Sequence, residues 1–285
     1  MLTSTSKALI RNASLEDHQK LAYLVHFESY IHRHLDYRAP LEWLGSQPFI
    51  ILEEKKDLTA ALACPADPPQ VAWVRLFAVA YQASIESAWA ALWPQARAQL
   101  SPAVRWVAAI PLHDWFETLL VQNQFQKTHS IVMLNWEAQP VQPAPLPPLL
   151  NIRPMSLDDL ATVEVIDNAA FVPVWQNSLM CLEYAYRQAA IATVVELDSK
   201  LIGYQISTPT HQGGHLARLA ILPEFQGKGY ATALLGDLLS RFSRRGARQV
   251  TVNTQKENFA SLALYKKAGF HFTGEEFPIY QYDLK

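Results

Sequence analysis

The densest chemical signal in the chain is the run Leu219-Ala220-Ile221-Leu222-Pro223-Glu224-Phe225-Gln226-Gly227-Lys228-Gly229-Tyr230-Ala231-Thr232-Ala233-Leu234-Leu235. An apolar strand passes through a proline into a Gly-x-Gly loop and on into a helix. Glycines at 227 and 229 remove Cβ atoms where backbone must approach a ligand, and the unpaired N–H groups and positive dipole end of the next helix suit a phosphate or pyrophosphate. Taken alone, such a loop reads equally well as a tight turn. A Walker loop is excluded because no Gly-Lys-Ser/Thr follows, and a dinucleotide fingerprint because Gln226 stands where its first glycine belongs. Downstream lies a second cluster, Asn258-x-Ala260, then Tyr265 and Gly269-Phe270. Asn258 and Tyr265 are seven residues apart, about two turns along one helical face.

Gln226-x-x-Gly229-x-Ala231, with the strand and proline before it, resembles the acetyl-CoA signature of the GNAT superfamily, and the Asn258 to Phe270 pattern resembles that family's second motif. The resemblance covers 151–285. It implies an N-acetyltransferase in which a primary amine of a small molecule or peptide attacks the thioester of acetyl-CoA directly, with no acyl-enzyme. Backbone of Leu219, Ala220 and Ile221, at a splayed strand, would hold the pantetheine arm and polarise the thioester carbonyl. Gln226, Gly227, Lys228, Gly229, Tyr230, Ala231 and Thr232 would form the pyrophosphate loop, and Asn258 would position the cofactor. Tyr265 would protonate the departing thiolate; its plain alternative is a core aromatic. The competing function is a non-catalytic sensor that binds acetyl-CoA.

The base is less direct. Ribosomal-protein acetyltransferases of the superfamily carry a glutamate five residues before the equivalent of Asn258, and here Asn253 stands there, which cannot accept the proton. Histone-type members place a glutamate on the strand before the loop, and the matching residue is His215, whose ordinary pKa of about 6.5 suits the task. His211 and Glu196 are the alternatives, and a histidine at a strand end with no catalytic part is the plain reading. Phe171, Trp175 and Tyr184 fall in segments that meet the acceptor in this family and would wall its pocket, or else simply pack under a loop.

The elements that must position these groups form two sets. A chain of 285 residues exceeds one usual domain, and the stretch at 140–148, PVQPAPLPP, has five prolines in nine positions, a composition that excludes helix. After it comes Ile152-Arg153-Pro154-Met155-Ser156-Leu157-Asp158-Asp159, which shares five of eight positions with Ile10-Arg11-Asn12-Ala13-Ser14-Leu15-Glu16-Asp17. Ser14 and Ser156 suit helix N-caps, with Asp17 and Asp159 in the first turn. The segments ending at Phe125 and Phe270 repeat a helix, turn and strand, which argues for duplication. In the second half, patterning predicts strands at 151–153, 192–197, 201–208, 216–222, 249–254 and 279–284. Helices are expected from 157, at 229–243 and at 259–268. In the first half it predicts strands at 49–52, 59–63, 72–79, 105–109 and 130–135, and helices at 84–100 and 114–122. The expected class is α/β (α+β): two tandem GNAT-like domains, each a mixed, mostly antiparallel twisted sheet flanked by helices. Their bounds are 1–139 for a degenerate copy, 140–149 for a linker and 150–285 for the catalytic domain.

The first half is read as degenerate because the segment after its strand at 72–79 is Ala80-Tyr81-Gln82-Ala83-Ser84-Ile85-Glu86, with no glycine, and because His113 and Leu120 align with Asn258 and Tyr265. It holds seven of the eight tryptophans, Trp43, Trp73, Trp89, Trp93, Trp106, Trp115 and Trp136, which fits a filled cleft or an interface, and a scaffold that completes or shields the acceptor cleft.

A net charge of −2 gives no field to draw in nucleic acid or an anionic membrane. Cys64 and Cys181 match no metal or CxxC spacing and read as buried apolar residues. No apolar run suits a signal peptide or a membrane span, so the expected setting is cytoplasmic, without metal, nucleic acid or membrane as partner. A homodimer is left open as an assembly.

Overall fold

The computed structural model describes residues 8–27, 30–139, 147 and 149–285. The chain divides into two compact units, 1–128 with 278–285, and 129–277. The proline-rich stretch at 140–148 lies mainly outside the described residues. The division differs from a cut there, because 129–137 go with the second unit and the last eight residues with the first.

The first unit runs β1 (Leu9–Asn12), α1 (His18–Phe27), β2 (Tyr30–Arg33), β3 (Phe49–Glu54), β4 (Asp57–Ala63), β5 (Val71–Trp73), β6 (Leu76–Val79), α2 (Ile85–Gln99), β7 (Trp106–Ala109) and α3 (Asp114–Gln122), and the chain then enters β8 (Gln126–Glu137). Its strand order is β1-β3-β4-β6-β2, with β5 parallel to β7 and residues 280–283 antiparallel on the other side of β7. The strand expected at 72–79 is thus broken between Trp73 and Leu76. Trp89, Trp93, Phe77, Phe116 and Phe125 fill the core of this unit, and Tyr280 joins them.

The second unit runs β9 (Leu150–Pro154), α4 (Leu160–Ala170), α5 (Leu179–Arg187), β10 (Ile191–Leu197), β11 (Lys200–Thr210), β12 (Gly213–Ile221), α6 (Tyr230–Arg244), β13 (Gln249–Gln255), α7 (Phe259–Lys267) and β14 (His271–Asp283). Along its sheet the order is β14-β8-β13-β12-β11-β10-β9, with only the β12–β13 pair parallel in the pairings resolved. The last strand is much longer than the expected 279–284. Its first half, from His271 to Glu276, is exposed and, apart from Phe272 and Gly274, polar, so strand pairing rather than apolar alternation holds it extended. Trp136 is a correction to the tryptophan reading: it packs with Val132 and Leu134 in the core beside α6, not in the first unit.

The duplication seen in the sequence is repeated atom for atom. Arg11 Nη1 and Nη2 donate to Asp17 at 2.7 and 2.7 Å and its Nε to Glu53 at 3.1 Å, while Arg153 does the same to Asp159 at 2.8 and 2.8 Å and to Glu196 at 2.9 Å. The backbone N–H of Ser14 donates to Asp17 at 2.8 Å and that of Ser156 to Asp159 at 2.7 Å. Two-residue hairpin turns with positive φ at both positions join β3 to β4 (Lys55, Lys56) and β10 to β11 (Asp198, Ser199); that turn matches the twist of paired strands. A bulge precedes Glu53 and Glu196 alike.

Bonding from the arginine is the main cause that holds Asp17 and Asp159 well below the usual carboxylate range. A depressed carboxyl contributes stability above its unfolded pKa of about 3.9 and loses it as pH falls through the folded one. Arg153→Met therefore lowers unfolding free energy by about 1–2 kcal/mol near neutral pH, less than a buried charged bond because the arginine is a third exposed. In urea titrations at successively lower pH the deficit narrows below pH ~4; a deficit constant into acid would remove the ion pair as its cause.

Candidate active site

Strands β12 and β13 pair only from Gly213↔Gln249 to Leu216↔Val252. Beyond that point β13 continues against β8, while β12 continues only against β11. The two parallel strands therefore part, and one edge of β12 is left open. The N–H of Leu222 donates to Ile202 of β11 at 2.9 Å, so strand alternation turns the N–H and C=O groups of Leu219 and Ile221 toward the open side. Ala220, between them, is turned toward Tyr204 of β11.

A bulge sets which side chains flank this edge. Leu216 pairs with Ser207 and Arg218 with Ile206, leaving Ala217 as the extra residue. That extra residue flips the alternation. His215 and Arg218, three apart, consequently share the face opposite to Leu216, which packs with Leu235, Leu238 and Phe242 of α6.

The loop after β12 is exposed and unfilled. Gly227 and Gly229 have φ of +74° and +87°, and a Cβ at either would meet no atom within 4 Å; both need the left-handed backbone rather than room. The side chain of Gln226 donates back to Ile221 O at 2.9 Å and fixes the turn. Lys228 donates to Glu224 O at 2.9 Å. The first backbone N–H in this region to find an acceptor is that of Ala233, bonded to Gly229 O at 3.0 Å. Among the described residues, the N–H groups of Gly227, Lys228, Gly229, Tyr230, Ala231 and Thr232 donate to nothing in the protein. Six consecutive donors at the start of α6 make an anion cradle.

Tyr265 is buried on α7 with its ring 5.6 Å from that of Phe270. Its hydroxyl makes no hydrogen bond among the described residues. Burial pushes its pKa up, against a smaller opposing pull from Arg218, so the phenol holds its proton at neutral pH and has it free to give. The core-aromatic reading is true of its ring, and the hydroxyl makes no bond that would stand against the acid reading. Asn258 is the N-cap of α7: its Oδ1 accepts from Ser261 N–H at 3.1 Å and its Nδ2 donates to Gln255 at 3.3 Å. The sequence had not assigned it that capping task.

His215 is half-buried, its Nδ1 lies 2.8 Å from Thr251 Oγ1, and burial lowers its pKa. His211 is exposed in the turn between β11 and β12. Glu196, on β10 two strands from β12, is withdrawn as an alternative base, because it is committed to Arg153 and Asn151 of β9.

Sequence reading missed the charge cluster behind the open edge. Asp167 of α4, fully buried, accepts from Arg218 Nε at 2.7 Å and Nη2 at 2.9 Å, from Asn177 N–H at 2.8 Å, and from the hydroxyl of Tyr204. Arg218 also donates to the carbonyl of Trp175, and its guanidinium lies 3.6 Å from the centre of the Phe171 ring. Phe171 and Trp175 are thereby gathered around one cation at the start of β12's open stretch. The ring of Trp175 further lies 6.2 Å from that of His129. Tyr184 sits half-buried on α5. A signal for the cluster was present: Asp167 falls on the same helical face as Leu160, Val163 and Ile166, where an unpaired carboxylate would be costly.

The first unit has the same frame with the opening closed. Its β2 pairs antiparallel with β6, from Tyr30↔Val79 to Arg33↔Leu76, along the stretch that corresponds to 217–221. The start of α2 is capped by Ser84, which accepts from Ser87 N–H at 3.2 Å. Among the described residues no group of three or more His, Cys, Asp or Glu is placed to hold a metal. Cys64 is buried with its thiol pushed up to about 12 by burial, whereas Cys181, read as buried, is half-exposed on α5.

The Acetyltransferase (GNAT) family model matches residues 160–270. An N-alpha-acetyltransferase 30 of Schizosaccharomyces pombe is 34% identical over 98 residues, which make up 31% of this chain and 65% of that protein, just under two thirds of its length. An uncharacterized N-acetyltransferase of Methanocaldococcus jannaschii is 28% identical over 42% of this chain and 76% of its own. Among solved structures, a tandem GNAT protein from the clavulanic acid biosynthesis pathway, without AcCoA, aligns with a TM-score of 0.64 at 14% identity, covering 98% of this chain and 99% of that one. At that identity the likeness carries the fold.

Asp167→Ala leaves the Arg218 guanidinium buried without its counter-charge, a change that costs about 3–5 kcal/mol. Urea unfolding should register that loss; a change below about 1 kcal/mol would mean that water replaces the carboxylate and that the cluster does not hold the loop at 171–177.

Proposed function

We propose, from the premise that residues 160–270 belong to the GNAT acetyltransferase family, that the second unit transfers an acetyl group from acetyl-CoA to a primary amine of a small molecule or peptide in the cytoplasm. The observation that carries the reading is the run of six unpaired N–H groups at 227–232 next to an unpaired strand edge at Leu219 and Ile221. A diphosphate and an amide-bearing arm are what such a pair of donors fits, and Lys228 adds positive charge at the loop.

Acetyl-CoA, when bound, supplies an acyl carbon activated as a thioester. The chain's part is to hold and move protons around it. Backbone N–H groups of Leu219 and Ile221 would orient the arm and polarise the carbonyl, at no cost in reorganisation because the strand already presents them. His215, neutral at pH 7 because burial lowers its pKa, would take the proton from the attacking amine, directly or through a water. Tyr265, protonated and uncommitted, would give its proton to the leaving sulfur. Arg218, Phe171 and Trp175 would wall the acceptor side, with Asn258 holding the first turn of α7. The name of the yeast relative makes an α-amino group the first acceptor class to try.

Tyr265→Phe should reduce turnover by about 10²-fold, the scale of a lost general acid, with acetyl-CoA affinity nearly unchanged. Equal turnover would take Tyr265 out of the mechanism. Gly229→Glu should abolish affinity in isothermal titration through charge as well as the strain of a side chain at positive φ, and normal affinity there would refute the loop assignment. Free-thiol release with a broad amine panel separates an enzyme from a sensor, since a sensor releases none. With His215 as the base, the acid limb of kcat/KM lies below the ordinary histidine pKa of about 6.5, and it disappears in His215→Gln.

A further inference from the structure

The charge cluster beside the open edge is saturated on one side only. Asp167 is fully buried, and its Oδ1 accepts from Arg218 Nη2 at 2.9 Å and from Asn177 N–H at 2.8 Å. Its Oδ2 accepts from Arg218 Nε at 2.7 Å and from the Tyr204 hydroxyl. Those donors fill the roughly four lone-pair sites of a carboxylate, so this acid has nothing left for an incoming ammonium.

Arg218 is in the opposite position. A guanidinium carries five N–H groups in a fixed plane. Nε uses its one on Asp167, and Nη2 uses two, on Asp167 and on the carbonyl of Trp175. The rest belong to Nη1, on the edge turned away from the carboxylate, and they have no acceptor among the described residues. Nη1 is not one of the buried atoms left without a partner, so solvent reaches it, although only 13% of the side chain is exposed. The bonds to Asp167 and the Phe171 ring, its centre 3.6 Å from Cζ, hold the group still. A donor already fixed in this way loses little freedom on taking an acceptor.

Its place is beside the chemistry. Arg218 directly precedes Leu219, whose main-chain groups turn toward the opening, and it shares a face with His215. Its charge reaches the buried hydroxyl of Tyr265. The neighbouring strand residues on that face, His215, Thr251, Asn253, Met133 and Asn135, include no acid. This wall offers hydrogen to an oxygen and no counter-charge to a second ammonium. Which oxygen follows from the charges: Asp167 cancels Arg218, so an anionic oxygen would meet a pair with no net charge, whereas a neutral carbonyl needs only the N–H groups.

We propose that Arg218 is a specificity-determining residue whose Nη1 donates to a neutral carbonyl oxygen one carbon from the attacking amine, so that the acceptor is an aminoacyl amide such as a peptide N-terminus. The inference deepens the acetyltransferase reading and rests on it. No bond forms or breaks at Arg218. Because a single carbon separates amine and carbonyl, fixing the oxygen orients the nitrogen. Diamines and amino sugars carry the amine without that carbonyl, and free amino acids carry the oxygen as an anion.

The test compares acceptors on the full chain: a short peptide with a free α-amino group, the same peptide with its first amide replaced by an (E)-alkene, and a diamine. Thiol release from acetyl-CoA gives kcat/KM at the plateau of each pH profile, where the amines are neutral, and titration into the chain saturated with coenzyme A gives affinity. The alkene should lose about 10- to 100-fold in kcat/KM, the scale of one hydrogen bond from a charged donor, and bind more weakly by a similar factor. Arg218→Lys keeps a cation opposite Asp167 but has no second edge to present, so it should turn over peptide and alkene nearly equally. Equal kcat/KM for the two in the wild-type chain overturns the proposal, as does a diamine preferred to the peptide or an Arg218→Lys chain that keeps the wild-type ratio. The wild-type comparison needs no variant and decides the matter where Arg218→Lys fails to fold. Acetyl-CoA affinity without thiol release from any amine defeats the acetyltransferase reading; the affinities of peptide and alkene then still decide this one, equal values overturning it.

Discussion

Everything in the second unit turns on the separation of β12 from β13 after Leu216 and Val252. Backbone donors and acceptors are rarely left unpaired in a sheet interior, so an edge opened between two central strands needs causes that hold it open and an occupant that completes it. The bulge at Ala217 redirects β12. Arg218, next in line, is drawn by Asp167 and Tyr204 toward α4 rather than toward β13. Across the gap, β13 spends its far edge on β8 through Gln255. The strands thus part where each keeps a partner on its other side, β12 on β11 and β13 on β8.

The first unit shows what the same frame does without that requirement. Its strand corresponding to β12 also breaks, between Trp73 and Leu76, with β5 keeping the parallel pair to β7. The freed edge of β6 is then taken by the chain's own β2, and the tip of α2 is closed by a serine cap. The Arg11–Asp17–Glu53 and Arg153–Asp159–Glu196 networks are superimposable in their bonding, so the two units differ in the opening and not in the frame. In the first unit that pairing of β2 with β6 supplies the missing main-chain bonds internally.

The loop at 226–232, the motif at 258–270 and the repeated Arg-Ser-Asp starts stand out in the sequence because each is local, although the capping of α7 by Asn258 was not read from it. Helices and most strands were legible for the same reason. The charge cluster was not, since Asp167, Tyr204 and Arg218 meet only through the fold, and a lone acid on an apolar helix face reports a partner without naming it. Strand β2 was also missed. Tyr30-Ile31-His32-Arg33 is four residues with no strong alternation, and only the vacant edge of β6 makes it a strand. Glu196 looked free as a base for the converse reason: its arginine lies 43 residues away in sequence.

Neither half of the sequence, cut at the proline-rich stretch, holds a whole core. Val132, Leu134 and Trp136 precede that stretch, yet they pack in the second unit with Leu238, Phe242 and Tyr265. Tyr280 and Tyr282, at the far end of the chain, pack with Trp89, Trp93 and Phe125 in the first. Burying three such side chains is worth several kcal/mol, at about 1.5–3 kcal/mol each, a large part of a domain's usual stability. The same strand that brings Trp136 inward brings Asn135 outward, because alternation leaves it no other choice. The strand that pairs with β13 in the second unit is thus encoded before the proline-rich stretch, in the half of the sequence that supplies most of the first unit.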